Sequence, residues 1–584
     1  MRINYLTRTD KALFGFDLFL IIFNLSFLLL YFFLDHLIII KGLQILSLLG
    51  LLPVLLSAFK SLIKREISVD LLASIALVFS IYSGEWYSAS FITLMLAFAR
   101  IFDLFTMAKT KSIIASLIKY QVEIVKIIKG ETVKDINISD IKVGDMVVVD
   151  AGDKIPVDGS VSSGSAMVDE SSLTGESELV GKKVGDKVFT STINESGSLV
   201  VKVEKIGKDT TLSKIIAMVE EASRNKSKAE RLANTFTRWY IIAVLLVSLA
   251  LYSLGFSTSF ILSILLVVCA DDIAVAVPLS FTSAISGLAK RGIVVKGSDA
   301  LEQVSRLKFI LTDKTGTLTK GKPKIVDIRT FGDNTREKAL ELFGMGASHS
   351  GHAVSGAIVQ YLEENKIKIH NPESFQEVSG QGVKFGHGKD QMILGRLSFI
   401  EAQNINVHQI VKDAVNAEKD SGRAVVLLAQ NNQVGALISY VDELRPKMKE
   451  VIMETISLGV KEWHMLTGDN ENVAKRVSQE LGLSHPHANM TPESKLHFLK
   501  EFKKNKKGVV AYIGDGVNDA ASLALADVSI AMGGIGSESA IEASDITIMH
   551  DHLNRLPLII KAGSKVRSIM YQSFFIWALT NIVG

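Results

Sequence analysis

The sequence predicts a multidomain membrane protein: an α-helical transmembrane domain, a β-rich soluble domain, and an α/β domain split by an insert. Three observations carry that expectation. Hydrophobic residues make up 48% of the 584 and the mean hydropathy is +0.30, too apolar for an ordinary soluble protein, yet the 21% of charged residues requires large soluble parts as well. Several apolar stretches are long enough to cross a hydrocarbon core, which takes about 20 helical residues. Three short apolar runs each end in a glycine-containing acidic turn, the pattern of strand-loop-helix units. The net charge of +3 is close to balance and argues against a nucleic-acid partner. A single cysteine, Cys269, excludes intramolecular disulfides and paired-cysteine metal modules.

Ala12 to Leu34 is almost wholly apolar. It exceeds the ~7–15 apolar residues of a signal peptide, and no small-residue cleavage site follows. Leu37 to Leu62 makes a second span, which Gly50 and Pro53 are expected to kink. Arg2, Arg8 and Lys11 precede the first span, and Lys64 and Arg65 follow the second, so both outer ends are expected in the cytoplasm. Asp70 to Ser83 and Trp86 to Met107 read as a helical hairpin around Gly84-Glu85, returning to Lys109 and Lys111. From about Ser112 to Lys228 the pattern changes to short β-type runs such as Met146 to Val149 and Leu199 to Val203, separated by Gly-Asp and Asn-Glu turns. Trp239 to Leu254 and Ser259 to Val277 form another pair of spans, with Lys290 and Arg291 marking the return. One further hydrophobic segment, Ile569 to Gly584, closes the sequence.

The chemistry concentrates in the α/β part. Leu307 to Leu311 reads as a buried strand, Asp313 sits just past its carboxyl end, and Gly316 lets the backbone turn. In open α/β sheets that crevice binds ligands, so Asp313 beside Lys314 is a candidate nucleophile for phosphoryl transfer, with Lys314 or another cation offsetting the phosphate charge. Trp463 to Met465 leads into Leu466-Thr467-Gly468-Asp469-Asn470 and a helical pattern of Val473, Val477 and Leu481. Val509 to Ile513 leads into Gly514-Asp515-Gly516-Val517-Asn518-Asp519. Three such units can converge at one sheet edge, where Asp515 and Asp519 offer hard oxygens suited to Mg2+. An insert the size of a small domain separates the first unit from the second, beginning after about Pro323 and ending before Asp442-Glu443-Leu444-Arg445-Pro446.

Asp313-Lys314-Thr315-Gly316-Thr317, Thr467-Gly468-Asp469, the Gly514 to Asp519 loop and Thr174-Gly175-Glu176-Ser177 occur in the order and spacing found in P-type ATPases. From residue 70 onward the chain resembles those ion-pumping members of the haloacid dehalogenase superfamily. The resemblance implies transmembrane helices over 1–111, a β-rich actuator domain over 112–228 and a transmembrane hairpin over 229–297. It further implies a haloacid-dehalogenase-like phosphorylation domain over 298–328 and 438–560, an inserted α+β nucleotide-binding domain over 329–437, and the start of a last membrane region over 561–584. Asp313 would be phosphorylated by ATP, Asp515 would hold Mg2+ with Asp313 and the Thr315 backbone, and Lys495 would contact the phosphate. Thr315, Thr467 and Asn518 would complete its hydrogen bonding, with Gly468 and Asp469 in the same site and Asp519 in the magnesium region. Glu176 would position water on the aspartyl-phosphate. In the insert, Ser350-Gly351-His352-Ala353 lies where heavy-metal pumps carry Ser-Glu-His-Pro, and Gly380-Gln381-Gly382-Val383 matches their glycine pair. His352, Gly380 and Gly382 would then bind the nucleotide, with His352 stacking on or hydrogen-bonding adenine. Gly351 and Ala353 replace Glu and Pro, which bears on ATP affinity and loop rigidity.

Two helices ahead of the core and little beyond the phosphorylation domain resemble the heavy-metal branch. That branch carries a sixth core helix after the segment equivalent to Ile569–Gly584, so a truncated chain is expected. Where it places Cys-Pro-Cys, this sequence has Cys269-Ala270-Asp271, followed by Asp272 and then Pro278. One soft ligand has become hard. Ionised carboxylates at the bilayer centre cost roughly 2.5–3.5 kcal/mol each, which marks Cys269, Asp271 and Asp272 as candidate ligands of a transported cation. The donor set disfavours monovalent copper and favours a divalent ion such as zinc, cobalt, iron or manganese. The expectation is an ATP-driven pump exporting a divalent transition-metal ion through an aspartyl-phosphate, in the plasma membrane with catalytic domains in the cytosol. Its partners are ATP, Mg2+, the cation and the lipid bilayer, with no nucleic acid and no obligate protein partner. The alternatives are a pump for a hard or non-transition cation, and a membrane-tethered phosphohydrolase, which would need neither Thr174-Gly175-Glu176-Ser177 nor intramembrane acids. An inactive homologue would have lost phosphate-site residues, and none is lost.

Overall fold

The computed structural model describes residues 8–33, 37–63, 69–118, 124–130, 132–171, 179–222, 227–267, 271–332, 334–378, 381–388, 390–515, 519–533, 544–549 and 552–583. The chain divides into two compact units, Met1–Ser305 with Lys561–Gly584, and Arg306–Ile560.

In the first unit, helices Arg8–Phe33, Leu37–Ile63, Val69–Tyr82 and Trp86–Ile118 are followed, beyond a β-domain, by Lys228–Ser253, Thr258–Val267 and Asp271–Ala289. Among the described residues, four segments are long and apolar enough to cross a membrane: Asp10–Tyr31, Leu37–Phe59, Trp86–Phe105 and Lys228–Ser253. Leu71–Tyr82 and Ala276–Ala289 are shorter apolar helices. The first helix is apolar on every side, as a bilayer demands: Leu18, Ile22, Leu25 and Leu29 face outward while Leu20 and Ile21 pack with Leu46, Leu94 and Ala97.

Several boundaries differ from the sequence expectation. The helix from Trp86 runs on to Ile118 instead of stopping at Met107, because no glycine or proline interrupts it where the apolar stretch gives way to Lys109 and Lys111. The helix expected from Trp239 begins at Lys228, fixed by a capping box in which Ser227 and Glu230 satisfy each other's backbone N–H groups. Apolarity reports what a bilayer can hold, whereas caps report where a helix starts. The segment expected over Ser259–Val277 is described as Thr258–Val267 and Asp271–Ala289, with Cys269 and Ala270 outside the described residues. Ile569–Val583 is the latter part of one helix, Leu556–Val583, and Gly584 lies outside the described residues. Gly50 has a packing reason to be small, since a Cβ there would lie 2.1 Å from Thr93 Cγ2 of a neighbouring helix.

One ion pair, with Asp17 buried and Arg100 partly exposed, links the first and fourth helices. Asp17, 1% exposed, accepts from Arg100 Nε at 3.0 Å and from a terminal guanidinium nitrogen at 2.6 Å. Both lie within the apolar spans, where a charge without a partner is expensive.

The β-domain is an antiparallel sheet in the order Thr132–Asn137, Ile124–Lys129, Met146–Val149, Ile193–Lys205, Asp158–Asp169 and Leu179–Lys182, with Lys187–Val188 also pairing to Asp158–Asp169. Alternation puts Val147, Val149, Leu199, Val201 and Val203 in its core. Asp169 pairs with Leu179, so the chain enters and leaves residues 172–178 at one end of the sheet. Thr174, Gly175, Glu176 and Ser177 lie outside the described residues.

In the second unit, parallel strands run in the order His485–His487, Glu462–Leu466, Leu307–Asp313, Val509–Gly514, Val528–Gly533 and Ile546–Met549. The Leu307–Asp313 strand is central and buried on both faces, which accounts for its unbroken apolar run. The insert is built on a six-stranded antiparallel sheet whose longest pair, Thr319–Thr330 with Gln433–Leu444, carries the chain out of the parallel sheet and back.

Removing one member of a buried ion pair costs about 3–5 kcal/mol, whereas replacing both by apolar groups is often neutral. Asp17→Leu should therefore lower the unfolding temperature of the detergent-solubilised protein clearly, and the Asp17→Leu/Arg100→Leu double variant should recover most of the loss. Equal unfolding temperatures for the single variant and the parent would show that the pair contributes nothing.

Candidate active site

Register alone brings three loops together. Leu466 pairs with Asp313, and Ile513 pairs with Thr312, so the strands end side by side and release Thr467-Gly468-Asp469, Lys314 to Thr317 and Asp515 at one edge. Gly316 takes φ +71°, which a side chain would strain, and this turn folds the loop against Asp515: a Cβ at Gly316 would sit 3.5 Å from Asp515 Oδ2. Gly514 is held small by the opposite neighbour, since a Cβ there would lie 2.7 Å from Asp519 Oδ2.

Asp313 is buried at the centre of the edge. Lys495, near the start of helix Pro492–Asn505, donates to Asp313 Oδ1 at 2.7 Å and reaches Asp519 Oδ1 at 3.4 Å. Tyr512, fully buried, donates its hydroxyl to the same Asp519 oxygen at 3.0 Å. Burial pushes Asp313 up to about 6, with the neighbouring Asp519 adding to the rise and Lys495 opposing it. Burial likewise raises Asp519. For Lys495 burial acts downward, yet the two aspartates outweigh it and hold the ammonium above its ordinary range.

The lysine adjacent in sequence does something else. Lys314 Nζ lies 2.9 Å from Asp469 Oδ2 and 3.7 Å from Asp442 Oδ2, tying the first loop to the second and to the returning strand of the insert. The cation touching Asp313 is thus Lys495, 182 positions away, and not Lys314 as the Asp-Lys dipeptide suggested. Thr319 Oγ1 donates to Asp442 Oδ2 at 2.5 Å and accepts from Gly316 N at 3.2 Å, while Arg445 donates to the carbonyls of Thr317 and Gly316 at 2.8 and 2.7 Å. Sequence reasoning missed Asp442, Arg445, Thr319 and Tyr512 as parts of this site. Asp442 and Arg445 fall in the acidic-basic run that was used only to mark the end of the insert.

Thr467 is buried, its hydroxyl accepting from Asp469 N at 3.1 Å. Thr315 is exposed at the loop tip, and Asn518 lies outside the described residues. The donors fit a magnesium ion: Asp313, Asp515 and Asp519 converge hard oxygens, and Asp519 Oδ2 is buried with no hydrogen-bond partner.

In the insert, His352 caps helix Ala353–Glu364, its Nδ1 accepting from Val354 N at 3.3 Å. His352 and Gly382 line one groove with Glu377, Gln381, Arg396 and Tyr440, and Gly380 lies outside the described residues. Gly382 must be small, since a Cβ would sit 2.3 Å from the Leu394 carbonyl oxygen. The side chains of Asp271 and Asp272, at the start of their helix, and Cys269 lie outside what the structure describes.

Residues 119–220 match the P-type ATPase actuator domain and residues 307–527 match haloacid dehalogenase-like hydrolases. The chain is 33% identical over 527 residues to a probable cadmium-transporting ATPase of Staphylococcus aureus (strain MRSA252), covering 88% of this chain and 72% of that one. It is 33% identical over 554 residues to a zinc-transporting ATPase of Bacillus subtilis (strain 168), covering 92% and 86%. A zinc-transporting PIB-type ATPase solved in the E2.Pi state superposes with a TM-score of 0.59 at 25% identity, covering 99% of this chain and 95% of that one. With a parallel sheet that gathers its acidic loops at one edge, apolar membrane helices and these relatives, the chain belongs to the P-type ATPases, in their heavy-metal-transporting type IB branch.

Proposed function

We propose that the chain exports a divalent transition-metal ion, driven by ATP through a phosphorylated Asp313. The observation that carries this reading is the buried Asp313 carboxylate at the end of the central strand, held at one oxygen by Lys495 and faced by a second pair of acids. With Oδ1 engaged by Lys495, Oδ2 is the oxygen that attacks the γ-phosphorus. The new bond is Asp313 O–P, the bond broken joins the γ-phosphorus to its bridging oxygen, and ADP leaves. Lys495 offsets charge on the transferred group, and Thr467 with the Lys314 to Thr317 backbone supplies hydrogen-bond donors beside it. Mg2+, held by Asp515 with Asp313 and supported by Asp519, would neutralise phosphate charge. The groove of His352, Gly382 and Tyr440 takes the base of ATP. Glu176 then draws a proton from water as that water attacks the aspartyl-phosphate.

In the membrane, Cys269 and Asp271 combine one soft and one hard donor, a set suited to a borderline divalent ion and poorly suited to monovalent copper. The relatives described as zinc- and cadmium-transporting agree with that class. The parallel requirement for a β-domain with its own acidic loop speaks against a tethered phosphohydrolase.

ATP with Mg2+ should label the protein as an acid-stable phosphoenzyme. Asp313→Asn should abolish the label, and Glu176→Gln should permit labelling but slow its decay at least tenfold in a pulse-chase. Undiminished label in Asp313→Asn would remove the nucleophile assignment.

Replacing Asp271 by Asn keeps volume and removes charge, so zinc-stimulated ATPase and vesicle transport should be lost while ATP binding persists. Turnover and transport that survive unchanged would make the acid structural.

Because folding raises Asp313 from its ordinary 3.8 to about 6, the folded protein holds more protons than the unfolded chain between those values. Without Mg2+, stability therefore falls as pH rises through that window, and above it the folded state carries the cost of a buried carboxylate. Mg2+ should raise the unfolding temperature clearly at pH 7.5 and hardly at pH 5, where Asp313 is mostly protonated. The same shift at both values would place Mg2+ elsewhere.

A further inference from the structure

A helix-covered face of a parallel sheet is ordinarily apolar, and at its edge this one is not. Strands Glu462–Leu466 and His485–His487 run in parallel with His464 opposite His485 and Leu466 opposite His487. With a side-chain period of two, Glu462, His464, His485 and His487 all fall on the same face. His464 is buried, 5% exposed, and the other three are half-buried. His464 Nε2 lies 3.1 Å from Glu462 Oε2 and its Nδ1 lies 3.1 Å from His487 Nε2. The His485 ring stacks on His464 with centroids 4.5 Å apart, and Phe498 and Phe502 wall the group from helix Pro492–Asn505. Lys506 holds Glu462 at 2.9 Å, keeping that carboxyl below its ordinary range and ionised.

We propose that Glu462, His464 and His485 bind one divalent transition-metal ion of borderline softness, zinc being the type, at a site apart from the magnesium loops and from the membrane residues. One ligand atom from each of the three lies within 4.8 Å of the others. Two imidazoles and a carboxylate form the donor set that zinc takes when a fourth position is left to water. Tetrahedral bonds of about 2.0–2.1 Å space ligand atoms by roughly 3.4 Å. The Glu462–His464 pair already meets that spacing, and His485, on the edge strand, has to turn its ring out of the stack by about an ångström. The contact from His464 Nδ1 to His487 orients that ring, in the manner of outer partners of metal-bound histidines.

The position gives the ion a consequence. Glu462–Leu466 runs straight into Thr467-Gly468-Asp469, and the His487 carbonyl accepts from Thr467 N at 2.9 Å. An ion shared by the two strands cross-links them next to a loop of the candidate active site, and it does so whether or not the transport reading above holds.

The test uses the full chain in detergent, with Cys269→Ser, Asp271→Asn and Asp272→Asn introduced so that none of the candidate membrane ligands contributes. This background protein should bind one Zn2+ per chain in equilibrium dialysis, show tetrahedral Co2+ absorption without sulfur charge transfer, and gain unfolding temperature on Zn2+ addition. His485→Gln, at a half-buried edge position that tolerates exchange, should lose the Co2+ bands and weaken Zn2+ binding at least tenfold, and Glu462→Gln should do the same. A background protein that binds no Zn2+, or a His485→Gln variant that binds as tightly as its parent, would overturn the site and leave the histidines as a stacked structural ladder.

Discussion

Two aspartates sharing one lysine set the terms for the catalytic half of this molecule. Asp313 and Asp519 are both buried, both pushed toward the protonated form, and both served by Lys495, with Tyr512 giving Asp519 its second contact. Such a cluster is not a device for stability. Burying a second acid beside the first costs free energy that one ammonium offsets only in part, and one oxygen of Asp519 remains without a partner. The cost is tolerable because the surrounding strand ends cannot relax: the central strand is buried on both faces and paired with neighbours along its length. A site strained toward neutrality in this way would be relieved by a divalent cation, which brings the positive charge that one lysine does not supply.

That constraint explains what could be read from the sequence. Each of the three loops follows a run whose apolar character is dictated by burial in a parallel sheet, so Leu307 to Leu311, Trp463 to Met465 and Val509 to Ile513 announced both their strands and the edge they share. The lysine at Asp313 was legible only through the family resemblance, which placed Lys495 at the phosphate; the dipeptide Asp313-Lys314 pointed instead to its own lysine. Lys314 turns to Asp469 and Asp442, and the contact to Asp313 comes from a helix whose docking only tertiary packing decides. Helix lengths were misread for a related reason: hydropathy ends where the bilayer does, while the helices beginning at Lys228 and at Trp86 obey caps and the absence of breakers. The histidines at 464, 485 and 487 carried no signal, since residues 467–484 separate the two strands and only register puts them on one face.

The insert is bound to the site by the same electrostatics. Asp442 stands on the strand that returns from the insert, and it faces both Lys314 and Thr319, while Arg445, three residues on, holds the carbonyls of Gly316 and Thr317. The loop that follows Asp313 is thereby clamped by groups at the root of the insert's long strand pair. Gly316, at φ +71°, lies between that root and Asp515, since a Cβ on it would sit 3.5 Å from Asp515 Oδ2. On the proposed reading, nucleotide in the groove of His352 and Gly382 would have a short covalent and hydrogen-bonded route to Asp313.

The membrane half answers to a different solvent, and there polar groups are sparse enough to be informative one at a time. Asp17 and Arg100 neutralise each other through three hydrogen bonds, which makes their pairing a means of fixing one helix against another. Asp271 and Asp272, at the head of a helix that carries Pro278, sit beside Cys269 in sequence and have no basic residue within several positions on either side. Local sequence thus offers these acids no countercharge, so the counterion must come from elsewhere in the fold or from what passes through. A donor pair of one thiolate and one carboxylate is too hard for an ion that seeks only sulfur and too soft for one that seeks only oxygen. In the proposed site of Cys269 and Asp271, selectivity would be set less by the strength of either ligand than by the requirement that both be satisfied by the same ion.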